Sequence, residues 1–160
     1  MDWKTLFLSP EGRIHRQDFW IGWAILFVAG LVLAFIPLVN MIAWAAGIYV
    51  RVCLYSKRLH DMGKSGWWQV IPYVAGFVAI VLGFVMFGSA IVAAAMSAGD
   101  SDNPAAAIAM LSSMGGVFVL WALASLISLG VLIWVGATPG QTGTNAYGPD
   151  PLGGSTVEVF

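Results

Sequence analysis

The sequence predicts an all-α integral membrane protein with four transmembrane helices and an N-terminal interfacial arm. Hydrophobic residues make up 59% of the 160 residues and charged residues only 9%, against about 25% in soluble domains. Residues 19–50, 65–99 and 103–149 contain no Asp, Glu, Lys or Arg, and a span needs about 20 predominantly apolar residues. Because fifteen charged side chains could not cover so much apolar surface in water, we expect these segments to lie in lipid.

Turn-forming residues divide the apolar runs into four spans. Pro37 and Asn40 predict a turn after the first run, and "MGKSG" breaks the helix after Asp61. Asn103 and Pro104 suit the start of the last helix. The prediction is a cytoplasmic arm at 1–18, a four-helix domain at 19–137 with spans at 19–39, 41–61, 67–96 and 105–137, and a cytoplasmic tail at 138–160.

The arm and the basic residues predict the orientation. The first eighteen residues mix Trp3, Phe7 and Leu8 with charge, which is typical of an arm lying along the membrane surface. No cleavable signal is expected, because the first apolar run begins only at Phe19 and is long enough to span. With four spans, every loop lysine and arginine falls on the side of both termini, so that side is predicted to be cytoplasmic.

The stretch "RLHDMGKSGWW", residues 58–68, contains the densest group of polar residues. A nucleotide-binding phosphate loop is not expected, because the first glycine of that motif is replaced by Arg58 and a transmembrane helix precedes it. A tight Gly63–Gly66 turn beside Lys64 and Arg58 could still hold an anion such as a lipid phosphate. The alternative is that these basic residues only fix orientation and reach headgroups.

Arg51 lies within the second predicted span, two helical turns before Arg58. An arginine at the centre of a span costs at least about 2.5–3.5 kcal/mol unless it is paired, hydrated or snorkelling. An ion pair from Asp18 to Arg51 or Arg58 is one interpretation. A polar cavity that opens to the cytoplasm is the other.

Composition argues against several other functions. The net charge of −1 gives no reason to expect nucleic-acid binding, and Cys53 is read as a buried, inert thiol. His15 and His60 lack partners at metal-ligand spacing, so neither a metal site nor a cofactor is predicted. No catalytic constellation is readable, and an enzyme is the least favoured class.

The aromatic residues and the tail carry two further predictions. Trp67 and Trp68 fit an aromatic belt at the membrane interface better than a stacking site for a ligand. In the tail, Asn145, Tyr147 and Gly148 favour an ordered turn over a loose linker.

Three segments resemble a known family: "GRIHRQDFW" at 12–20, "KRLHDMGKSGWW" at 57–68 and "GTNAYGPDP" at 143–151. Together they resemble the signature segments of the domain-of-unknown-function family 805, small bacterial inner-membrane proteins. The resemblance covers nearly the whole chain and implies the fold and the location, but no activity. The alanine-rich stretch before and after Asp100 departs from it. The residues that match the family pattern are Gly12, Arg13, Asp18, Phe19, Trp20, Arg58, Asp61, Gly63, Lys64, Ser65, Gly66, Trp67, Asn145, Tyr147, Gly148, Pro149, Asp150 and Pro151.

By the predicted topology the three segments meet on one side of the membrane. We expect a polar cluster of Asp18, Arg58, Asp61, Lys64, Asn145 and Asp150 there, with Arg51 above it in the bilayer. The leading hypothesis is a non-enzymatic module whose cluster binds an anionic lipid or a protein partner. A small transporter or channel using a polar path near Arg51, a homo-oligomer and a purely structural role are the alternatives.

Overall fold

A computed structural model describes residues 3–97 and 104–153, and these residues are almost entirely helical. Four of the helices are long and apolar enough to cross a membrane, which confirms the predicted fold class. The only β-type pairing in the described ranges is an isolated bridge between Asn145 and Gly148. The helices are α1 (Trp3–Leu8), α2 (Arg16–Leu33), α3 (Pro37–Asp61), α4 (Val70–Met96) and α5 (Ala105–Ala137), with a 3₁₀ turn at Gly66–Gln69.

The first helical break lies earlier in the chain than the sequence patterns predict. α2 ends at Leu33, and α3 begins at Pro37, so Asn40 lies inside a helix. Proline fits the first helical position because the amide it lacks has no partner there in any case. The predicted helix start at Asn103 lies outside the described residues.

The described chain forms two compact units, of which the first contains everything up to Gln69 together with the residues from Leu132 on. Its buried apolar side chains include Leu6, Phe19, Leu54 and Val135. The ring of Phe19 packs edge-to-face against Tyr55, with 5.1 Å between centroids. This core brings α2, α3 and the end of α5 together.

Within this unit, α1 packs along the side of α3. The Tyr49 hydroxyl donates to the Leu8 carbonyl oxygen at 2.9 Å, and Lys57 donates to the carbonyl oxygen of Thr5. Leu6 is buried, close to Gly22 on α2. The arm is therefore a helix that follows α3 for about two turns, a contact that the composition of the arm could not predict.

The second unit, Val70–Val131, consists of α4 and most of α5. Small residues form its helix contacts: Gly83 faces Val117, and a Cβ at Gly116 would overlap Met86. Ala79 and Ala90 are buried. Such residues let helix backbones approach closely in a membrane, where packing rather than hydrophobic burial drives association.

Candidate functional site

A buried carboxylate, Asp61 at the end of α3, accepts hydrogen bonds from two arginines. Arg13 donates to Oδ1 through Nε at 3.2 Å and through Nη2 at 3.0 Å. Arg58 donates to Oδ2 through Nη1. The side chains of Arg13, Arg58 and Asp61 are 1%, 0% and 4% exposed. This Arg13–Asp61–Arg58 triad joins the segment before α2 to the end of α3.

The remaining donors of Arg13 hold the tail. Its Nη1 donates to the carbonyl oxygens of Gly143 at 2.6 Å and of Gly148 at 3.2 Å, and Nη2 reaches the Gln141 carbonyl. A guanidinium has five N–H donors in a fixed planar fork, and all of Arg13's lie toward acceptors of this chain. Arg13 therefore anchors the tail and has no donor left for a ligand.

The end of α5 is capped by side chains from α2 and α3. The last four carbonyls of a helix have no partner within it, and a cation close to them is favourable. Arg58 Nε donates to the Val135 carbonyl at 3.1 Å, and Trp20 Nε1 to that of Gly136 at 3.2 Å. Arg16 Nη1 lies 3.5 Å from the Ala137 carbonyl oxygen. Residues of the first two family-like segments (12–20 and 57–68) therefore donate hydrogen bonds to the last carbonyls of α5.

Gly140 and Gln141 close the contact between Asp61 and the tail. A Cβ at Gly140 would overlap Asp61 Oδ2, so only glycine lets the backbone pass the carboxylate. The Gln141 amide donates to the Asp61 carbonyl oxygen at 2.8 Å. Neither residue was among the predicted site residues, although both lie in a glycine-rich stretch just before the third segment.

The Gly63–Lys64 turn is a helix cap and not an anion loop. The Gly63 amide donates to the His60 carbonyl at 2.9 Å and the Lys64 amide to that of Leu59 at 2.8 Å, which is the Schellman pattern. Gly63 has φ +68°, a conformation that glycine adopts at little cost. These two amides are therefore already bonded within the chain and are not available to an anion.

The Lys64 side chain packs against two tryptophan rings. Lys64 Nζ lies 5.9 Å from the ring centroid of Trp68 and 5.8 Å from that of Trp134, within cation–π range. Trp67 is 80% exposed and its amide donates to Ser65 Oγ. A Cβ at Gly66 would lie 2.8 Å from the hydroxyl oxygen of Ser56.

The tail forms an ordered turn, as predicted. Asn145 Nδ2 donates to the His60 carbonyl oxygen at 2.9 Å, and the Tyr147 ring stacks on the His60 ring with 4.0 Å between centroids. Asp150 accepts hydrogen bonds from the amides of Leu152 and Gly143, and these bonds lower the pKa of its carboxyl group.

Asp18 and Arg51 lie apart from the triad. Asp18 pairs with His15 at 2.7 Å, so the predicted ion pair from Asp18 to Arg51 or Arg58 is wrong. The path of the arm brings Arg13 to Asp61 and leaves Asp18 beside His15. Arg51 is exposed on α3.

A cavity of about 440 Å³ adjoins the triad. The start of α2 contributes His15, Arg16 and Gln17 to its lining. Arg58, Asp61, Asp150 and residues 139–142 complete the polar side, with Pro151 and Leu152. Arg16 is exposed, and the start of α2 has no side-chain cap. Within the described ranges, no group of three His, Cys, Asp or Glu side chains is placed to hold a metal ion.

Comparisons with known proteins give a family and no activity. The chain is 38% identical over 74 residues to the uncharacterized protein YiiR of Escherichia coli strain K12, and equally to that of Escherichia coli O157:H7. These matches cover 42% of this chain and 51% of each relative, so the chain spans about half the length of the curated relatives it matches. No solved structure matches it. The family described as "Protein of unknown function (DUF805)" matches residues 7–149, and the chain belongs to that family.

Proposed function

We propose that this protein is a non-enzymatic membrane module that binds an anionic group in the cavity beside the triad. The shared chemistry of the ligand is a phosphate, carried either by a lipid headgroup or by a soluble compound. The observation that carries the proposal is the cavity of about 440 Å³ that brings Arg16 together with the uncapped start of α2.

The triad gives the cavity a rigid wall and does not supply the main contacts. Asp61 is held by both arginines, and Arg58 also donates to the carbonyls of Val135 and Thr138. Two arginines and one aspartate leave the triad with a net charge of +1. Because these groups are buried, their field is screened less than that of surface charges, and it favours an anion in the adjoining space.

Arg16 and the first amides of α2 are the groups best placed for direct contact. Among residues 3–97 and 104–153, the Arg16 guanidinium forms one hydrogen bond, the long contact to Ala137. The amides at a helix start carry partial positive charge and commonly bind phosphate. The acidic residue Asp150, which also lines the cavity, is bonded to two backbone amides, so its charge is partly compensated.

The membrane setting makes a lipid headgroup the source of phosphate to test first. The motif residues lie in the arm and the start of α2, at the end of α3 with the loop after it, and in the tail. The positive-inside rule assigns that side to the cytoplasm, and the family resemblance implies a bacterial inner membrane. Cytoplasmic leaflets are rich in anionic lipids. Transport through a path near Arg51 has no comparable support, since the Arg51 side chain is exposed.

The test measures binding by the full chain in nanodiscs. Arg16→Gln is compared with Lys64→Gln, a matched loss of one charge at a side chain that packs on two tryptophans outside the cavity lining. One arm adds phosphatidylglycerol to phosphatidylcholine nanodiscs, and the other adds inorganic phosphate to nanodiscs of phosphatidylcholine alone. We expect Arg16→Gln to weaken binding by about fivefold, since an exposed charge contributes roughly 1 kcal/mol, and Lys64→Gln to change it by less than about twofold.

The two halves of the experiment also distinguish the two sources of phosphate. Binding of phosphatidylglycerol but not of inorganic phosphate identifies a lipid headgroup, and the reverse identifies a soluble phosphate. Equal affinities of the wild type and Arg16→Gln in both arms would rule out the cavity as the anion site.

A further inference from the structure

Arg51 is a charged side chain on an apolar helix with no partner in the described structure. It is exposed on α3, within a candidate span that covers Leu38–Asp61. The structure gives its guanidinium no hydrogen bond or ion pair with any other residue of 3–97 or 104–153. A guanidinium with five unused donors in an apolar layer needs an anion or water at that point.

The length of α3 gives the depth of this charge. Arg51 follows Pro37, the first residue of α3, by fourteen residues, which is about 21 Å of helix. With the start of α3 at the far boundary of a hydrocarbon layer about 30 Å thick, Arg51 lies about 9 Å below the near boundary. At that depth a long basic side chain extends toward the headgroups while its stem stays in the apolar layer.

The N-terminal arm reaches nearly the same level along α3. The carbonyl of Leu8, the last residue of α1, accepts its hydrogen bond from Tyr49, two residues before Arg51. Trp3 and Leu8 expose apolar surface beside the buried Leu6. Tyr49 follows Pro37 by twelve residues, or about 18 Å of helix, so the end of α1 lies within the apolar layer at nearly the depth of Arg51.

We propose that Arg51 binds the phosphodiester of a phospholipid drawn below the level of its neighbours. Charge complementarity selects this occupant. A phosphodiester is the anion that the bilayer itself supplies, and a water-soluble phosphate has no path to this depth. A second copy of the chain would bring its own Arg51 to the same level, and like charges would repel. This site is separate from the cavity at Arg16 and does not depend on the proposed function.

The experiment counts the phospholipids retained by the full chain after mild delipidation, using native mass spectrometry with phosphatidylglycerol as the probe. Wild type, Arg51→Gln and Arg51→Lys are compared, and Arg16→Gln is the control for the cavity. We expect the ratio of protein with one retained phosphatidylglycerol to protein without it to fall at least about tenfold in Arg51→Gln, as for the loss of a charge-assisted hydrogen bond. Arg51→Lys should keep most of it, and Arg16→Gln should leave this lipid in place.

A second measurement uses only the wild type, so it does not depend on whether the variants fold. Phosphatidylglycerol should raise the unfolding temperature of the detergent-solubilised protein, while a diacylglycerol with the same acyl chains but no phosphate should not. Equal retention by wild type and Arg51→Gln, or an equal temperature shift with diacylglycerol, would overturn the proposal.

Discussion

Replacing Asp61 with asparagine tests the role of the buried triad, because it removes one negative charge and little volume. The wild-type carboxylate accepts two hydrogen bonds from Arg13 and one from Arg58. Asparagine keeps one oxygen and turns the other acceptor into an NH₂ donor, which would face an arginine donor. The variant therefore leaves two guanidinium groups close together, one of them fully buried.

The expected loss of stability is large for one polar substitution. Removing one partner of a buried ion pair costs about 3–5 kcal/mol, because the other charge remains buried without compensation. The side chains of Arg58 and Asp61 are 0% and 4% exposed, so solvent screening does not reduce this figure much. Arg13 keeps its bonds to the Gly143 and Gly148 carbonyls, which places the expected loss near the lower end, at about 3 kcal/mol.

Unfolding by sodium dodecyl sulphate in mixed micelles, followed by tryptophan fluorescence, measures the free energy of unfolding. Asp18→Asn is the matched control, since Asp18 forms a partly exposed pair with His15, with side chains 23% and 26% exposed. Pairs of that kind contribute about 0–1 kcal/mol. A loss below about 1 kcal/mol for Asp61→Asn, no larger than that of Asp18→Asn, would refute the assignment of Asp61 as the centre of the cluster.

Two further predictions concern the tail. Gly140→Ala should destabilise the protein by about 1–3 kcal/mol in the same assay, as overpacking against Asp61 Oδ2 does, whereas Gly30→Ala, with open space around its Cβ, should be neutral or slightly stabilising. The pKa of the Asp150 carboxyl group is lowered from 3.8, so its contribution to the ordered turn is complete above that pH and is lost as the pH falls through the lowered value. Amide NMR shifts of the tail should therefore change below about pH 4 in the wild type and not in Asp150→Asn, and identical titrations would contradict this.

The sequence predicted the elements better than it predicted their contacts. Apolar runs and charge gaps mark the four long helices, since lipid imposes that composition on any spanning helix. The resemblance placed Arg58, Asp61 and Asn145 in segments that do meet in the structure. That the arm would contribute Arg13, and not Asp18, to the ion pairs at the end of α3 was not predictable, because the two residues lie only five positions apart and the path of the arm decides between them.

The acceptors in the site were the least predictable part. Arg13 and Arg58 donate mainly to backbone carbonyls such as those of Val135 and Gly143, and a carbonyl oxygen is present at every position of any sequence. The "GKS" letters left an anion-binding turn open as one interpretation, and the amides of Gly63 and Lys64 cap α3. Whether a backbone amide already has an acceptor can be judged only from the three-dimensional structure.

A double-mutant cycle between Arg13 and Asp61 tests most directly that distant segments of this chain are joined at one carboxylate. The free energy of unfolding is measured for the wild type, Arg13→Gln, Asp61→Asn and the double variant. Residues in contact within one network couple by about 0.5–3 kcal/mol, and the two bonds to one carboxylate oxygen predict a value above about 1 kcal/mol. Additivity within about 0.3–0.5 kcal/mol, as for distant sites, would contradict the account.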